Sequence, residues 1–222
     1  MKGRYLFLLV FTSILFCAPA VSQAQMIKGA VIGGFNLSQV DGDEVYGFNR
    51  IGLNVGVSAI IPLSERWSVA LENSFNQKGA YQKQQYYDSI DGITGEYNLR
   101  LNYVSVPLTV QYHDMGGLTF GAGFSWDRLV GFTEVEHGGL REPYSDSIAF
   151  NENDFNIIAD IRFRIYKRLK FNLRYAYSIV PIREREFSNL NSDTWMRKQY
   201  NNNISFRLIY VFNERLPAKP EN

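Results

Sequence analysis

Residues 155–165 read Phe-Asn-Ile-Ile-Ala-Asp-Ile-Arg-Phe-Arg-Ile, and this stretch decides the fold class. Every second residue from Phe155 to Ile165 is apolar, and the residues between them include Asp160, Arg162 and Arg164. Successive side chains of a β-strand point to opposite faces. A period of two therefore predicts a strand with one apolar and one charged face.

The same alternation recurs along the chain and predicts eight strands. They cover residues 27–38, 51–61, 67–75, 97–113, 118–127, 155–165, 171–179 and 203–212. In the fourth segment the apolar residues move from odd positions, such as Leu101 and Tyr103, to even positions, such as Val104 and Val106. A shift by one residue is the effect of a β-bulge, so we predict a bulge in this strand.

The links between these segments alternate in length, which indicates how the strands are arranged. Short links at 62–66, 114–117 and 166–168 alternate with long polar links at 39–48, 81–96, 133–152 and 183–199. Short turns on one side and long loops on the other are the rule for outer-membrane barrels. We therefore predict an all-β fold, an eight-stranded antiparallel transmembrane up-and-down β-barrel. A soluble barrel of the lipocalin type, with the apolar face inside, is the alternative.

The first residues have the layout of a secretory signal peptide. Lys2 and Arg4 precede an apolar run at 5–16, and small residues follow. The run is too short to span a membrane as a helix, which takes about 20 apolar residues. Small residues at the required positions predict cleavage after Ala24, with Ala20 as the alternative.

The chain therefore divides into a signal peptide at 1–24, a barrel at 25–212 and a polar tail at 213–222 that we expect to be disordered. Cys17, the sole cysteine, lies in the signal segment. A lipoprotein attachment site there is disfavoured by the bulky residue before it. The mature chain then has no thiol chemistry.

Composition limits the class of protein. The chain has 23 Lys and Arg against 22 Asp and Glu, so its charge gives no reason to expect nucleic-acid binding. Aromatic residues make up 15% of the chain, and no mature segment is apolar for as long as a transmembrane helix requires. A barrel embedded in outer-membrane lipid explains both facts, because only alternate residues of its strands face lipid.

The charged strand faces predict an ion-pair network inside the barrel. An eight-stranded barrel is only wide enough for side chains to fill its interior. Buried charges are costly unless they are paired. The predicted network consists of Glu72, Asp127, Asp160, Arg162, Arg164, Arg174 and Arg207. The alternative is an arginine-lined, anion-preferring channel, which would need a wider barrel.

Tyrosines mark the second long link. Tyr81, Tyr86 and Tyr87 lie there, with Lys78 beside them. Tyrosine is enriched at protein interfaces, so these three residues form a candidate partner-binding loop. Tyrosines of an aromatic girdle at the lipid boundary would look the same in sequence.

Two segments resemble a known family. Residues 29–38, Gly-Ala-Val-Ile-Gly-Gly-Phe-Asn-Leu-Ser, followed by Asp41-Gly42-Asp43, resemble the opening strand and first loop of the PorT-like outer-membrane β-barrel proteins of Bacteroidetes. Residues 102–108, Asn-Tyr-Val-Ser-Val-Pro-Leu, look like part of their fourth strand. The resemblance implies a non-enzymatic barrel, and it links some members to type IX secretion and gliding.

The last predicted strand resembles a barrel-assembly signal, because residues 204–212 alternate and end in an aromatic residue, Phe212. It departs from the usual pattern because further residues follow Phe212. The barrel-assembly machinery is therefore an expected partner during insertion.

Histidines limit the possible chemistry. Enzymes among small outer-membrane barrels resemble one another in needing a histidine with a serine or acid near the outer rim. His113 falls at a short link, and His137 follows Glu134 and Glu136 in a long one. That trio could bind a metal or support acid–base work, but it lacks the scaffold that fixes a metal site. We predict no enzyme activity, no metal and no cofactor, and the less favoured alternative is a membrane-embedded enzyme that modifies lipid or peptide.

Overall fold

The strands of the barrel form one sheet. The computed structural model describes residues 27–86, 94–137, 139–140, 150–188 and 194–214, so the predicted signal peptide and most of the predicted tail lie outside the described residues. The strands are β1 (Lys28–Asp41), β2 (Arg50–Pro62), β3 (Trp67–Gln82), β4 (Tyr97–His113), β5 (Leu118–Glu136), β6 (Gly139–Leu140), β7 (Asn153–Tyr166), β8 (Leu169–Ser178), β9 (Arg183–Ser188) and β10 (Thr194–Val211).

Eight of these strands close into a barrel. Neighbours pair antiparallel in the order β1, β2, β3, β4, β5, β7, β8, β10, and β10 pairs back onto β1. The short strands β6 and β9 extend the hairpins of β5 and β10 at one end. The predicted eight-stranded antiparallel barrel is confirmed. Within the described ranges no helical segment has the length and apolar character that a membrane crossing requires.

Burial alternates along each strand, with the apolar face outward. On β7, Phe155 and Ile161 are exposed on the outer surface, while Asp160 and Arg162 are buried inside. A band of exposed apolar side chains around a polar interior is the arrangement of a membrane barrel. The lipocalin-type alternative, which needs the reverse facing, is therefore excluded.

The two ends of the barrel differ. Short turns at 63–66, 114–117 and 167–168 lie at the end where β1 starts and β10 finishes, and we call it the short-turn end. The opposite side is the long-loop end. There the loop prediction at 183–199 is wrong, because β9 pairs with the first half of β10 in a hairpin. The residues Arg-Glu-Arg-Glu at 183–186 carry no apolar alternation, so the period-two signal missed this strand.

The predicted bulge is present in the ladder between β4 and β5, at Asn102 and Tyr103, but its extra residue is not in β4 as predicted. The register between β3 and β4 is continuous, and Leu101 and Tyr103 are buried on the same inward face as Ser105. The irregularity lies in β5, where Val130 has no partner between Leu129 and Gly131. Odd-numbered residues of β4 face the lumen along the whole strand. They are predominantly apolar only near the long-loop end, because the lumen is polar elsewhere, so the apolar residues change from odd to even positions in the sequence.

Candidate functional site

A cluster of five charged side chains lies in the half of the lumen nearer the short-turn end, and we call it the lower cluster. Arg174 Nη1 and Nη2 lie 2.9 and 3.0 Å from the two Glu72 oxygens, and Arg174 Nη2 lies 2.7 Å from Asp160 Oδ2. Arg207 Nη1 lies 2.9 Å from Glu72 Oε2. Arg162 Nη2 is more distant, 3.9 Å from Glu72 Oε1. Three cations thus face two carboxylates.

Strand register brings this cluster together. Asp160 on β7 and Arg174 on β8 are direct cross-strand partners. Glu72 comes from β3 and reaches them across the lumen. Arg207 also donates to Asn172 Oδ1 from Nε and Nη2, at 2.8 and 2.5 Å. Bidentate and multiply bonded guanidinium groups of this kind are the strongest charged hydrogen bonds in proteins.

A second cluster lies one layer nearer the long-loop end, and we call it the middle cluster. Lys78 Nζ lies 2.7 Å from Asp127 Oδ2 and 3.1 Å from Asp154 Oδ2. Asn156 and Asn201 complete it, with Asn201 Nδ2 donating to Asp154 Oδ2 at 2.9 Å. Sequence reasoning assigned Lys78 to a loop and missed Asp154. Both residues continue the series of inward-facing positions of their strands, two residues apart. Extending this series along the sequence would have identified them as lumen residues.

The long-loop end of the lumen is closed by an apolar plug around Glu134, whose carboxylate pairs with Arg183 and, at 3.7 Å, with Arg185. Nine buried hydrophobic residues form the plug: Val40, Val45, Ala80, Tyr97, Leu99, Leu101, Tyr103, Phe150 and Ile182. Arg183 Nη1 lies 2.9 Å from Glu134 Oε2, and the guanidinium stacks over the Phe150 ring at 4.1 Å. Tyr97 donates its hydroxyl to Glu134 at 2.8 Å. Sequence reasoning had placed Glu134 and Arg183 in loops.

Arg164 lies outside both clusters. It is exposed at the short-turn end, and its Nη2 lies 3.0 Å from Glu214 Oε1. Lys170 Nζ approaches the same oxygen at 2.6 Å. The predicted lumen network is therefore wrong for Arg164, because β7 emerges from the barrel at this point. Glu214 is buried and not part of a free tail, contrary to the expectation for residues from 213 onward.

The three tyrosines of the candidate partner-binding loop separate. Tyr81 is half-buried in β3, opposite Asn98. Tyr86 is largely exposed at the long-loop end. Tyr87 lies outside the described residues.

The histidines and their neighbours do not form a metal cluster in the part of the chain that the structure describes. Glu134 is bound to Arg183, and Glu136 accepts two hydrogen bonds from Arg185 at 2.8 Å. His137 Nδ1 accepts from the Gly95 amide at 3.3 Å. The suggested metal trio is thus engaged in other contacts.

His113 sits at the short-turn end in a hydrogen-bonded chain of hydroxyl groups. Its Nε2 lies 2.8 Å from Ser68 Oγ, and its Nδ1 lies 2.9 Å from Thr119 Oγ1. A hydrolytic triad would place a carboxylate at the second nitrogen, where Thr119 stands. This geometry orients the ring but does not supply the third member of a triad.

Cavities lie mainly at the two ends of the barrel. The cavity between the lower and middle clusters measures about 10 Å³, too little for a column of water. A vestibule of about 580 Å³ lies at the short-turn end, and a cavity of about 540 Å³ lies at the long-loop end. The described side chains therefore fill the middle of the lumen.

Asp43 stands out in the first loop of the long-loop end. Its Oδ1 accepts from the Val45 amide at 2.9 Å, while its buried Oδ2 has no hydrogen-bond partner. Burial raises the pKa of this carboxyl to about 7, against the lowering effects of backbone hydrogen bonds and of Arg183. The group is poised to change its charge near neutral pH.

Several solved structures match the fold of this chain at low sequence identity. The Ail attachment invasion locus protein of Yersinia pestis is 14% identical with a TM-score of 0.46, covering 84% of this chain and 100% of its own. Neisserial surface protein A is 10% identical with a TM-score of 0.44, covering 83% of this chain and 97% of its own. A major outer membrane protein from Thermus thermophilus is 12% identical with a TM-score of 0.46, covering 84% of this chain and 100% of its own.

No curated protein sequence matches the chain significantly. A family model described as "Outer membrane protein beta-barrel domain" matches residues 23–184. This match covers most of the chain, and it agrees with the outward apolar face and the closed sheet. The protein therefore belongs to the outer membrane protein beta-barrel domain family and is located in the cell outer membrane.

Proposed function

We propose that this protein is a non-enzymatic barrel that acts as a structural or protein-interaction component of the outer membrane, through its long-loop end. The observation that carries the proposal is the filled lumen. The lower cluster, the middle cluster and the apolar plug follow one another along the axis, and the cavity between the clusters measures about 10 Å³. A barrel that offers no path for solutes acts through its surface.

The surface at the long-loop end has the properties of an interface. Tyr46 is 85% exposed, and Tyr86 and Met196 are also exposed there. Aromatic residues and methionine are enriched at protein interfaces. Exposed apolar side chains beyond the lipid-facing band have no lipid to contact. Binding of a protein partner would remove them from water.

The hairpin of β9 and β10 gives this end a rigid face. Phe187 and Trp195 stack with ring centroids 6.3 Å apart. The guanidinium groups of Arg185 and Arg197 lie 5.0 and 5.9 Å from the Phe187 ring. A face already ordered before binding loses less conformational entropy when a partner docks.

The finer assignment follows from the sequence resemblance. Within this proposal the chain is a PorT-like barrel of Bacteroidetes, and its partner belongs to type IX secretion or to another surface assembly. Its contacts are outer-membrane lipid around the barrel, a protein at the long-loop end and the barrel-assembly machinery during insertion. The resemblance in residues 29–38 and 102–108 supports this assignment.

Photo-crosslinking in the native membrane tests the interaction. A photoreactive amino acid at Tyr86 or Met196 should yield a discrete crosslinked protein, whereas the same group at the lipid-facing Leu208 should not. Identification of a secretion component would support the finer assignment. Absence of any product from Tyr46, Tyr86 and Met196 would contradict the interaction role.

Planar-bilayer recording tests the closed lumen independently. We expect no steady conductance from the refolded parent protein, and none from Glu72→Ala as long as it stays folded, because the middle cluster and the apolar plug still close the lumen. Steady anion-selective conductance in the parent would favour the channel and overturn the proposal.

A further inference from the structure

The vestibule at the short-turn end is lined by four cations and three carboxylates. The cations are Lys28, Arg162, Arg164 and Lys170, and the carboxylates are Glu65, Asp114 and Glu214. Arg162 borders the lower cluster. The vestibule volume of about 580 Å³ lies within the range of small-molecule sites. Short turns of outer-membrane barrels face the periplasm, so periplasmic solutes have access to it.

Arg162 is a buried cation without full pairing. It is 2% exposed, and its Nε and Nη2 atoms have no hydrogen-bond partner. The carboxylates of Glu72 and Asp160 are held by Arg174 and Arg207 at closer range, and Glu72 Oε1 lies 3.9 Å from Arg162 Nη2. Arg162 is therefore the surplus cation of the lower cluster.

Other charges nearby leave this surplus in place. The middle cluster has one more carboxylate than it has cations, but its acids contact Lys78 in a separate layer. At the vestibule wall, Arg164 and Lys170 share a single oxygen, Glu214 Oε1. The other oxygen, Glu214 Oε2, is buried without a hydrogen-bond partner.

We propose that the vestibule binds a small soluble oxyanion, a phosphate or carboxylate group, on Arg162. Arg162 borders the vestibule, while its unpaired Nε and Nη2 atoms are buried behind that surface, so the guanidinium has to turn towards the ligand to present these two donors as a fork to two of its oxygens. Arg164 and Lys170 supply further positive charge, and Glu214 competes with the ligand for both of them. This site is independent of the proposed interaction role of the long-loop end.

The experiment uses the refolded full chain in zwitterionic bilayers with inorganic phosphate as the probe, and chloride keeps the ionic strength constant. A ligand that binds only the folded state raises the unfolding midpoint in a saturable way. Arg162→Gln should weaken phosphate binding at least about tenfold, because it removes the charged fork. Arg162→Gln also leaves two cations facing two carboxylates, so the barrel keeps a balanced lower cluster.

Two further variants sharpen the test. Glu214→Gln should tighten phosphate binding, because it removes the competing carboxylate. Arg128→Gln changes an exposed arginine that pairs with Glu152 at the long-loop end, and phosphate binding should stay at the parental level. If Arg162→Gln does not fold, phosphate binding to Lys170→Gln and Glu214→Gln, measured by equilibrium dialysis, should move in opposite directions.

Glycerol phosphate and succinate in separate titrations distinguish an esterified phosphate and a carboxylate from the free ion. A saturable response to any of the three that is lost in Arg162→Gln supports the site. An equal response of the parent and Arg162→Gln would mean general salt screening and overturn the proposal. Lack of any response from the parent would overturn it too.

Discussion

Glu72 and Arg174 meet across the lumen in a two-point contact, with Nη1 2.9 Å from Oε2 and Nη2 3.0 Å from Oε1, although 102 residues separate them in the chain. The contact joins β3 to β8, which lie opposite each other across the barrel. It therefore ties together strands that are not neighbours in the sheet.

Removing Glu72 should destabilise the barrel strongly. Glu72→Ala leaves three buried cations with Asp160 as the remaining acid, and loss of one partner from a buried ion pair costs about 3–5 kcal/mol. Urea unfolding in bilayers, followed by tryptophan fluorescence, measures the loss. Glu65→Ala, in an exposed short turn, is the control. An equally small loss of unfolding free energy in both variants would contradict the prediction and would mean that water solvates the cluster.

Gly121 makes room for Asp160. A methyl group built on Gly121 would overlap Asp160 Oδ1, so Gly121→Ala has to push this carboxylate away from Arg174. We expect a loss of about 1–3 kcal/mol, the usual cost of overpacking. Gly33→Ala is the matched control, since its methyl group would meet no atom within 4 Å. Equal unfolding free energies for the two variants would contradict the assigned position of Asp160.

Leu173 tests the outward facing. It is exposed on β8, midway along the strand, so Leu173→Arg would place a charge in the lipid core at a cost of about 2–4 kcal/mol. Ile179→Arg, one residue beyond the long-loop end of β8, should cost about 0–1 kcal/mol. Equilibrium folding into vesicles compares the two, and the expectation fails if both cost the same.

Asp43 should make stability depend on pH. The pKa of its carboxyl is about 7 in the folded protein and 3.8 ordinarily, so folding favours the protonated form. Its contribution is fully present below about pH 3.8 and is lost as pH rises through about 7. Asp43→Asn should become more stable relative to the parent across this window. Parallel pH curves of unfolding free energy for the two proteins would refute the expectation.

Val130 is the extra residue of β5, because its neighbours Leu129 and Gly131 pair with adjacent residues of β4, Tyr103 and Asn102. Deleting Val130 should therefore remove the bulge and leave Phe132 and Glu134 facing the lumen, opposite Leu101 and Leu99. Arg183 would keep its carboxylate, so trypsin should cleave at Arg183 and Arg185 at about the rate seen in Val130→Ala. Much faster cleavage after the deletion would contradict this register.

Alternation of polar and apolar residues was sufficient to predict the fold class, the eight barrel strands and the inward facing of residues such as Asp160 and Arg174. It is a local property, since strand geometry alone sends neighbouring side chains to opposite faces. The signal is strongest where the apolar face meets lipid, as between Phe155 and Ile165. It was therefore reliable within the membrane band.

Partners and strand ends depended on the tertiary structure. Lys78 and Arg183 stand among polar residues in the sequence, and only closure of the sheet places them opposite Asp127 and Glu134 in the lumen. The same closure puts Arg164 at the rim beside Glu214. Which charge meets which is decided by register and barrel diameter, because these set distances between residues that are remote in the chain.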